Sequence, residues 1–349
     1  SILQGRTRTR AVQREHVHRL CLGPRPTSRA SLSLSWGSNQ GRKATSQGVS
    51  SSGAMGSWWI LFRAGNSTTG VLGVFLGSML ALGGLPEGWL AWITLLQAVS
   101  VWSFMCSWNA LNDYLDLEID RINRPSRPLP SGAISEVTAK RGIALMMVVS
   151  LLSIAGAISI ARDQPEGIEG WYPALVIWLG ALFLLANYES TGSYSLRLKE
   201  RGLPGNIAIS LSVGMVVLFG AAGVFEPYNE RAWAMFAVGV LYTLAREIVK
   251  DIEDMEGDEG RNTYAMRVGS EKARTVAWIL LLLTLASLLL PFGIGVFPEL
   301  HLVGVIPAVM FLLMVKGKLL TSEDRAAQQL IKKSMYLALA AFLGSSLLS

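Results

Sequence analysis

From residue 67 to its end the chain alternates long apolar runs with short polar connections. Nine runs stand out, at roughly 67–85, 89–110, 142–161, 171–189, 206–225, 232–249, 274–294, 299–316 and 332–348. A helix that crosses a bilayer needs about 20 mostly apolar residues. The pattern therefore predicts an all-α, polytopic membrane protein with nine transmembrane helices. The last run is short, and its Lys332-Lys333 flank is expected to snorkel toward the interface.

The connections between the runs alternate in charge. Those after runs 2, 4, 6 and 8 carry clusters such as Arg121, Arg124 and Arg127, or Arg197, Lys199 and Arg201. Those after runs 1 and 7 have no Lys or Arg, and those after runs 3 and 5 have one each, Arg162 and Arg231. Cytoplasmic loops carry the excess of Lys and Arg, so the N-terminus and the even-numbered loops are expected in the cytoplasm.

Composition agrees, with 51% hydrophobic and 16% charged residues. The net charge of +6 is misleading, because nine of the 31 Lys and Arg, but only Glu15 of the 25 acids, fall in residues 1–54. The rest is slightly acidic, and no nucleic-acid partner is expected. Residues 1–54 are rich in Ser, Gly and Arg and lack apolar periodicity, which predicts a disordered basic tail. The expected start of the native domain is Met55, with residues 55–349 forming the intramembrane domain. A transit peptide is the alternative for the tail. Cys21 and Cys106 are too few for a disulfide framework, and His16, His18 and His301 are too scattered for a histidine metal site.

Two stretches carry the candidate chemistry. The first, Asn112-Asp113-Tyr-Leu-Asp116-Leu-Glu-Ile-Asp120-Arg121 and then Asn123-Arg124-Pro-Ser-Arg127-Pro-Leu-Pro-Ser-Gly132, closes run 2. Ionisable groups at a membrane boundary are costly and mark functional sites. Asp113, Asp116 and Asp120 are three and four residues apart, which on a helix puts them on one face. Converging hard oxygens suit Mg²⁺, which completes its octahedron with water and phosphates, and the arginines can clamp phosphate. A solvated loop of mixed charge is the bland alternative. The second, Arg246-Glu247-Ile-Val-Lys250-Asp251-Ile-Glu253-Asp254-Met-Glu256-Gly-Asp258, closes run 6 and repeats the spacing in Asp251, Asp254 and Asp258. Two facing acidic ends repel unless cations lie between them. A diphosphate held through Mg²⁺ resolves this; a metal-free salt-bridge network is the other solution.

Taken together, Asn112-Asp113-x-x-Asp116-x-x-x-Asp120 followed by Arg-Pro-x-Arg-Pro-Leu-Pro-Ser-Gly resembles the first signature of the UbiA-type intramembrane prenyltransferases. Lys250-Asp-Ile-Glu-Asp254-Met-Glu-Gly-Asp258 resembles their second. Tyr194-Ser-Leu-Arg-Leu-Lys199-Glu-Arg-Gly-Leu-Pro-Gly-Asn206 is similar to the family's Tyr/Lys/Asn loop. Asn66, just after Arg63, fits an early polar position, although a helix cap explains it equally well. The wording of both acidic motifs is most similar to the ether-lipid branch.

The resemblance implies nine helices around a central cavity, spanning residues 57–349, and Mg²⁺-dependent transfer of a prenyl group from a prenyl diphosphate. It implies metal ligation by Asp113, Asp116, Asp120, Asp251, Asp254 and Asp258 with Asn112. Arg124, Lys199 and Lys250 would neutralise the diphosphate, and Asn206 would line the substrate site. Tyr194 would face the developing allylic cation, unless it is an interfacial anchor. In the ether-lipid branch the acceptor is geranylgeranylglyceryl phosphate, whose phosphate would take Arg63, Arg127 or Arg197. An aromatic or tetrapyrrole acceptor, as in quinone and chlorophyll pathways, is the neighbouring expectation. An ion-coupled transporter or a non-catalytic scaffold would also fit intramembrane acids, with membrane lipids as the remaining partners.

Overall fold

The computed structural model describes residues 51–190, 195–255 and 262–348. Among them every regular element is a helix. A short helix α1, Ser51–Leu61, leads in. The first long helix, α2, is Ala64–Leu82. Helix α3, Gly88–Leu115, is followed at once by α4, Leu117–Asn123. Then come α5, Glu136–Arg162, and α6, Gly167–Glu189. A 3₁₀ turn at Leu198–Glu200 precedes α7, Leu203–Gly223, and α8, Glu230–Glu253. The short α9, Tyr264–Val268, introduces α10, Ser270–Gly293. The chain ends with α11, Leu302–Leu320, and α12, Asp324–Leu348.

Nine of the described helices are long and apolar enough to cross a membrane, and they fall on the nine expected runs. They run further than hydrophobicity alone marks. Helix α3 continues to Leu115 and so carries Asp113, and α8 continues to Glu253 and carries Asp251. Helix α12 begins at Asp324, eight residues before its apolar run. Its polar first turn is fastened to the start of α10 by Arg274, whose Nε and a terminal guanidinium nitrogen donate to the two Asp324 oxygens at 2.8 and 2.6 Å. Helix α1 begins at Ser51 and so runs through the expected boundary at residue 54, while residues 1–50 lie outside the described residues.

Helix α2 is the central strut, packed on α3, α7 and α12. Its crossing with α7 depends on two glycines. A Cβ on Gly77 would overlap the Val217 carbonyl, and one on Gly220 would overlap that of Val74. Small residues let membrane helices approach closely enough for such polar contacts. Ser78 Oγ accordingly donates to the Gly220 carbonyl at 3.1 Å, and Gln97 Nε2, from α3, donates to that of Phe219 at 2.7 Å. Helix α3 lies along α5, and α7 along α8, while α8 also meets α10 and α12. Of three clusters of buried apolar side chains among the described residues, the two larger ones lie around α2, α3 and α6, with Ile93 and Trp171, and around α8 and α10–α12, with Tyr242, Leu281, Leu312 and Phe342.

Between these clusters lies a cavity of about 320 Å³, within the usual size range of small-molecule sites. Helices α2, α3, α6, α7, α8 and α12 line it with residues such as Leu76, Phe104, Trp178, Val217 and Phe342. Asn109 is among its lining residues, one helical turn before Asp113, so the cavity reaches toward the acidic end of the bundle.

Candidate active site

The first acidic cluster forms where α3 gives way to α4. The helical path breaks at Asp116 (φ −87°, ψ 9°), and this divides the three aspartates. Asp113 and Asp120 are buried, at 3% and 5% exposure, and share one partner, Arg127. Its guanidinium donates to Asp113 Oδ1 at 3.2 Å and makes a shorter bond to Asp120 Oδ2. Asp113 also accepts from Arg63 at 2.6 Å. Arg63 has a left-handed backbone (φ 45°) just before α2. Asp116 instead accepts from Lys199 Nζ, at 3.0 and 3.2 Å. The expected single face of three carboxylates is thus drawn into two groups by the cations between them.

Two acids that the motifs did not single out complete the site. Glu189 ends α6 almost wholly buried. Its carboxylate accepts from Lys199 Nζ at 3.0 Å and from Asn112 Nδ2 at 2.6 Å. Glu247, on α8, accepts from Arg246 at 2.8 Å and lies 3.6 Å from Lys250 Nζ. Each is a carboxylate near the end of an apolar run, which is itself a functional signal; Glu189 has no spaced acidic partner, and Glu247 stands within the second stretch but outside its Asp251, Asp254 and Asp258 spacing. Buried charges persist only where paired and hydrogen-bonded, and these are.

The second cluster stands at the end of α8. Asp251 Oδ2 accepts from Asn206 Nδ2 at 2.9 Å. Asp254 lies 3.8 Å from the Arg124 guanidinium, an ion pair that joins the two clusters. The segment from Lys199 to Asn206 serves both, Lys199 binding the first and Asn206 the second. Lys250 turns toward Glu247. Arg197 is exposed with a left-handed backbone (φ 47°), and among the described residues it joins no ion pair of the site. Asn66 is not a helix cap: α2 begins at Ala64, and the Asn66 side chain accepts from Lys332 Nζ at 3.2 Å. Tyr194 and Asp258 lie outside the described residues.

Among the described residues, no three His, Cys, Asp or Glu side chains converge on one point as a ready-made metal cage. The donor set nevertheless fits a hard cation. It consists of carboxylates with an asparagine amide and has no thiolate or imidazole, the chemistry that Mg²⁺ prefers. Mg²⁺ is usually held by one or two carboxylates with substrate phosphates rather than by an all-protein cage.

The model of the UbiA prenyltransferase family matches residues 70–340. The digeranylgeranylglyceryl phosphate synthase of Thermococcus kodakarensis is 36% identical over 284 residues, 80% of this chain and 93% of its own. That of Haloquadratum walsbyi is 34% identical over 286 residues, 81% of this chain and 91% of its own. A solved digeranylgeranylglyceryl phosphate synthase structure matches with a TM-score of 0.62 at 26% identity, covering 85% of this chain and 99% of that one. A UbiA homologue from Archaeoglobus fulgidus bound to GPP and Mg²⁺ shares the fold, with a TM-score of 0.55 at 16% identity over 81% of this chain and 99% of its own. Two acid-bearing helix ends above an apolar cavity are what a prenyl diphosphate requires, and with these matches the chain belongs to the UbiA prenyltransferase family and is a membrane-embedded prenyltransferase.

Proposed function

We propose that this enzyme transfers a geranylgeranyl group from geranylgeranyl diphosphate to geranylgeranylglyceryl phosphate, with Mg²⁺, in ether-lipid synthesis. The observation that carries this reading is the junction of the two acidic clusters at Arg124 and Asp254, at one end of an apolar cavity. An amphiphile with a polyanionic head and an isoprenoid chain matches that division. The synthase names of the relatives support the acceptor.

Asp113, Asp116, Asp120 and Asn112 on one side, and Asp251, Asp254 and Asp258 on the other, would hold the metal. Bound Mg²⁺ supplies neutralisation of the diphosphate as negative charge builds on it. Arg124, Lys199 and Lys250 are the side chains with reach and charge to pair with the phosphate oxygens. Glu189 and Asn112 fix Lys199 in place for that role. The C1–O bond to the diphosphate breaks with its electron pair on the leaving oxygen. The acceptor hydroxyl then forms the new ether bond at C1 and gives up its proton to the released diphosphate. Tyr194 is the aromatic group assigned to the allylic cation. The apolar walls hold the donor chain and keep water from the cation. The active-site end is assigned to the cytoplasmic face, on the charge of its loops.

The test is a competition assay with purified protein and geranylgeranyl diphosphate, with and without Mg²⁺. Geranylgeranylglyceryl phosphate, 4-hydroxybenzoate, homogentisate and chlorophyllide are offered at equal concentration. Preferential, Mg²⁺-dependent prenylation of the glyceryl phosphate is expected. Preference for an aromatic or tetrapyrrole acceptor overturns the acceptor assignment.

A further inference from the structure

Lys332 lies on α12 beside the N-terminal end of α2. Its Nζ is 3.2 Å from Asn66 Oδ1 and 5.6 Å from the centre of the Tyr336 ring. Among the described residues no carboxylate pairs with it, unlike Arg63, Arg127 and Lys199. An ammonium held by an amide and a ring face keeps its charge available to an anion. Asn66 is three residues from Arg63, whose guanidinium binds Asp113, so the start of α2 links Lys332 to the acidic site.

From Tyr336 an apolar groove runs between α2 and α12, lined by Thr68, Leu72, Ala340 and Leu343. Thr69, Tyr336 and Leu339 line both this groove and the central cavity. The groove is therefore a second apolar slot next to the first, with its own cation at the mouth. A reaction that joins two isoprenoid amphiphiles needs two such slots, one for each chain.

We propose that the acceptor lipid binds here, with its phosphate on Lys332 and its isoprenoid chain in the groove between α2 and α12. Lys332 then selects a phosphorylated glycerol lipid over the neutral alcohol. This rests on the functional reading above and moves the acceptor's phosphate to Lys332 from Arg63 and Arg127, which are committed to Asp113, and from Arg197, which is exposed and does not line the groove.

The test uses the full chain in nanodiscs with geranylgeranyl diphosphate as donor. Geranylgeranylglyceryl phosphate and dephosphorylated geranylgeranylglycerol are the two acceptors. Lys332→Gln should raise KM for the phosphorylated acceptor about tenfold or more, the usual weight of a charge-assisted hydrogen bond. KM for the donor and turnover of the neutral acceptor should not change, and Lys332→Arg should restore most of the loss. Ala340→Trp, which fills the groove away from the charge, should raise KM for both acceptors and leave the donor alone. An unchanged KM for the phosphorylated acceptor in Lys332→Gln overturns the inference. So does an equal loss with both acceptors, the signature of a plain membrane anchor. A wild-type enzyme that prenylates neither glycerol lipid overturns the functional reading itself, and that outcome is visible before any variant is made.

Discussion

The Arg124 guanidinium stands 3.8 Å from the Asp254 carboxylate, and through this pair the ends of α4 and α8 face one another. Arg124 belongs to the first acidic motif and Asp254 to the second, 130 residues on. Opposite charge across that gap offsets the repulsion between two carboxylate-rich ends. A diphosphate with its metals would enter the same gap and compete for the same arginine.

Asp116→Asn and Asp254→Asn should each abolish turnover while the protein stays folded. Each substitution removes charge at constant volume, and both residues lie at helix ends rather than in the apolar core. Turnover measured across a Mg²⁺ titration checks this. Full activity at limiting Mg²⁺ in either variant would sink the two-cluster arrangement.

Glu189→Gln should lower kcat by on the order of 10²-fold, the scale of a small misplacement of a catalytic group. The Glu189 carboxylate holds Lys199 and Asn112 together, and its neutral amide pairs with Lys199 far more weakly. Steady-state kinetics on folded protein decides it, and wild-type kcat would remove Glu189 from the site.

Arg127→Ala should destabilise the protein as well as inactivate it. It leaves Asp120 and part of Asp113 buried without a counter-charge, a loss of about 3–5 kcal/mol for a broken buried pair. Thermal unfolding in detergent is the measurement.

Gly220→Leu should loosen the bundle. The side chain would meet the Val74 carbonyl and force α2 from α7, at about 1–3 kcal/mol for an overpacked contact. The loss of the Ser78 hydrogen bond to residue 220 adds to it. A melting temperature equal to wild type would show that the crossing is not close-packed.

The nine spans and the two acidic motifs were legible in the chain itself. Both rest on local rules: a bilayer demands about 20 apolar residues in a row, and a carboxylate at the end of such a run is too costly to be incidental. The ends of the spans were less legible. The Asp324 turn of α12 is polar, and Arg274 fastens it, a contact between residues 50 apart. Glu189 was hidden for the same reason, since it acts through Asn112 and Lys199, which other elements bring to it. The spacing of Asp113, Asp116 and Asp120 proposed one shared face, but tertiary cations divided it, with Arg127 taking two and Lys199 the third. Lys332 read as an interfacial anchor until α12 was seen to close against α2, where its ammonium meets Asn66. Sequence determined what must leave water and which charges stay at the boundary, because those costs belong to single residues. Tertiary structure decided which charge pairs with which, because a Coulomb partner is fixed by distance in space and helix packing alone sets that distance.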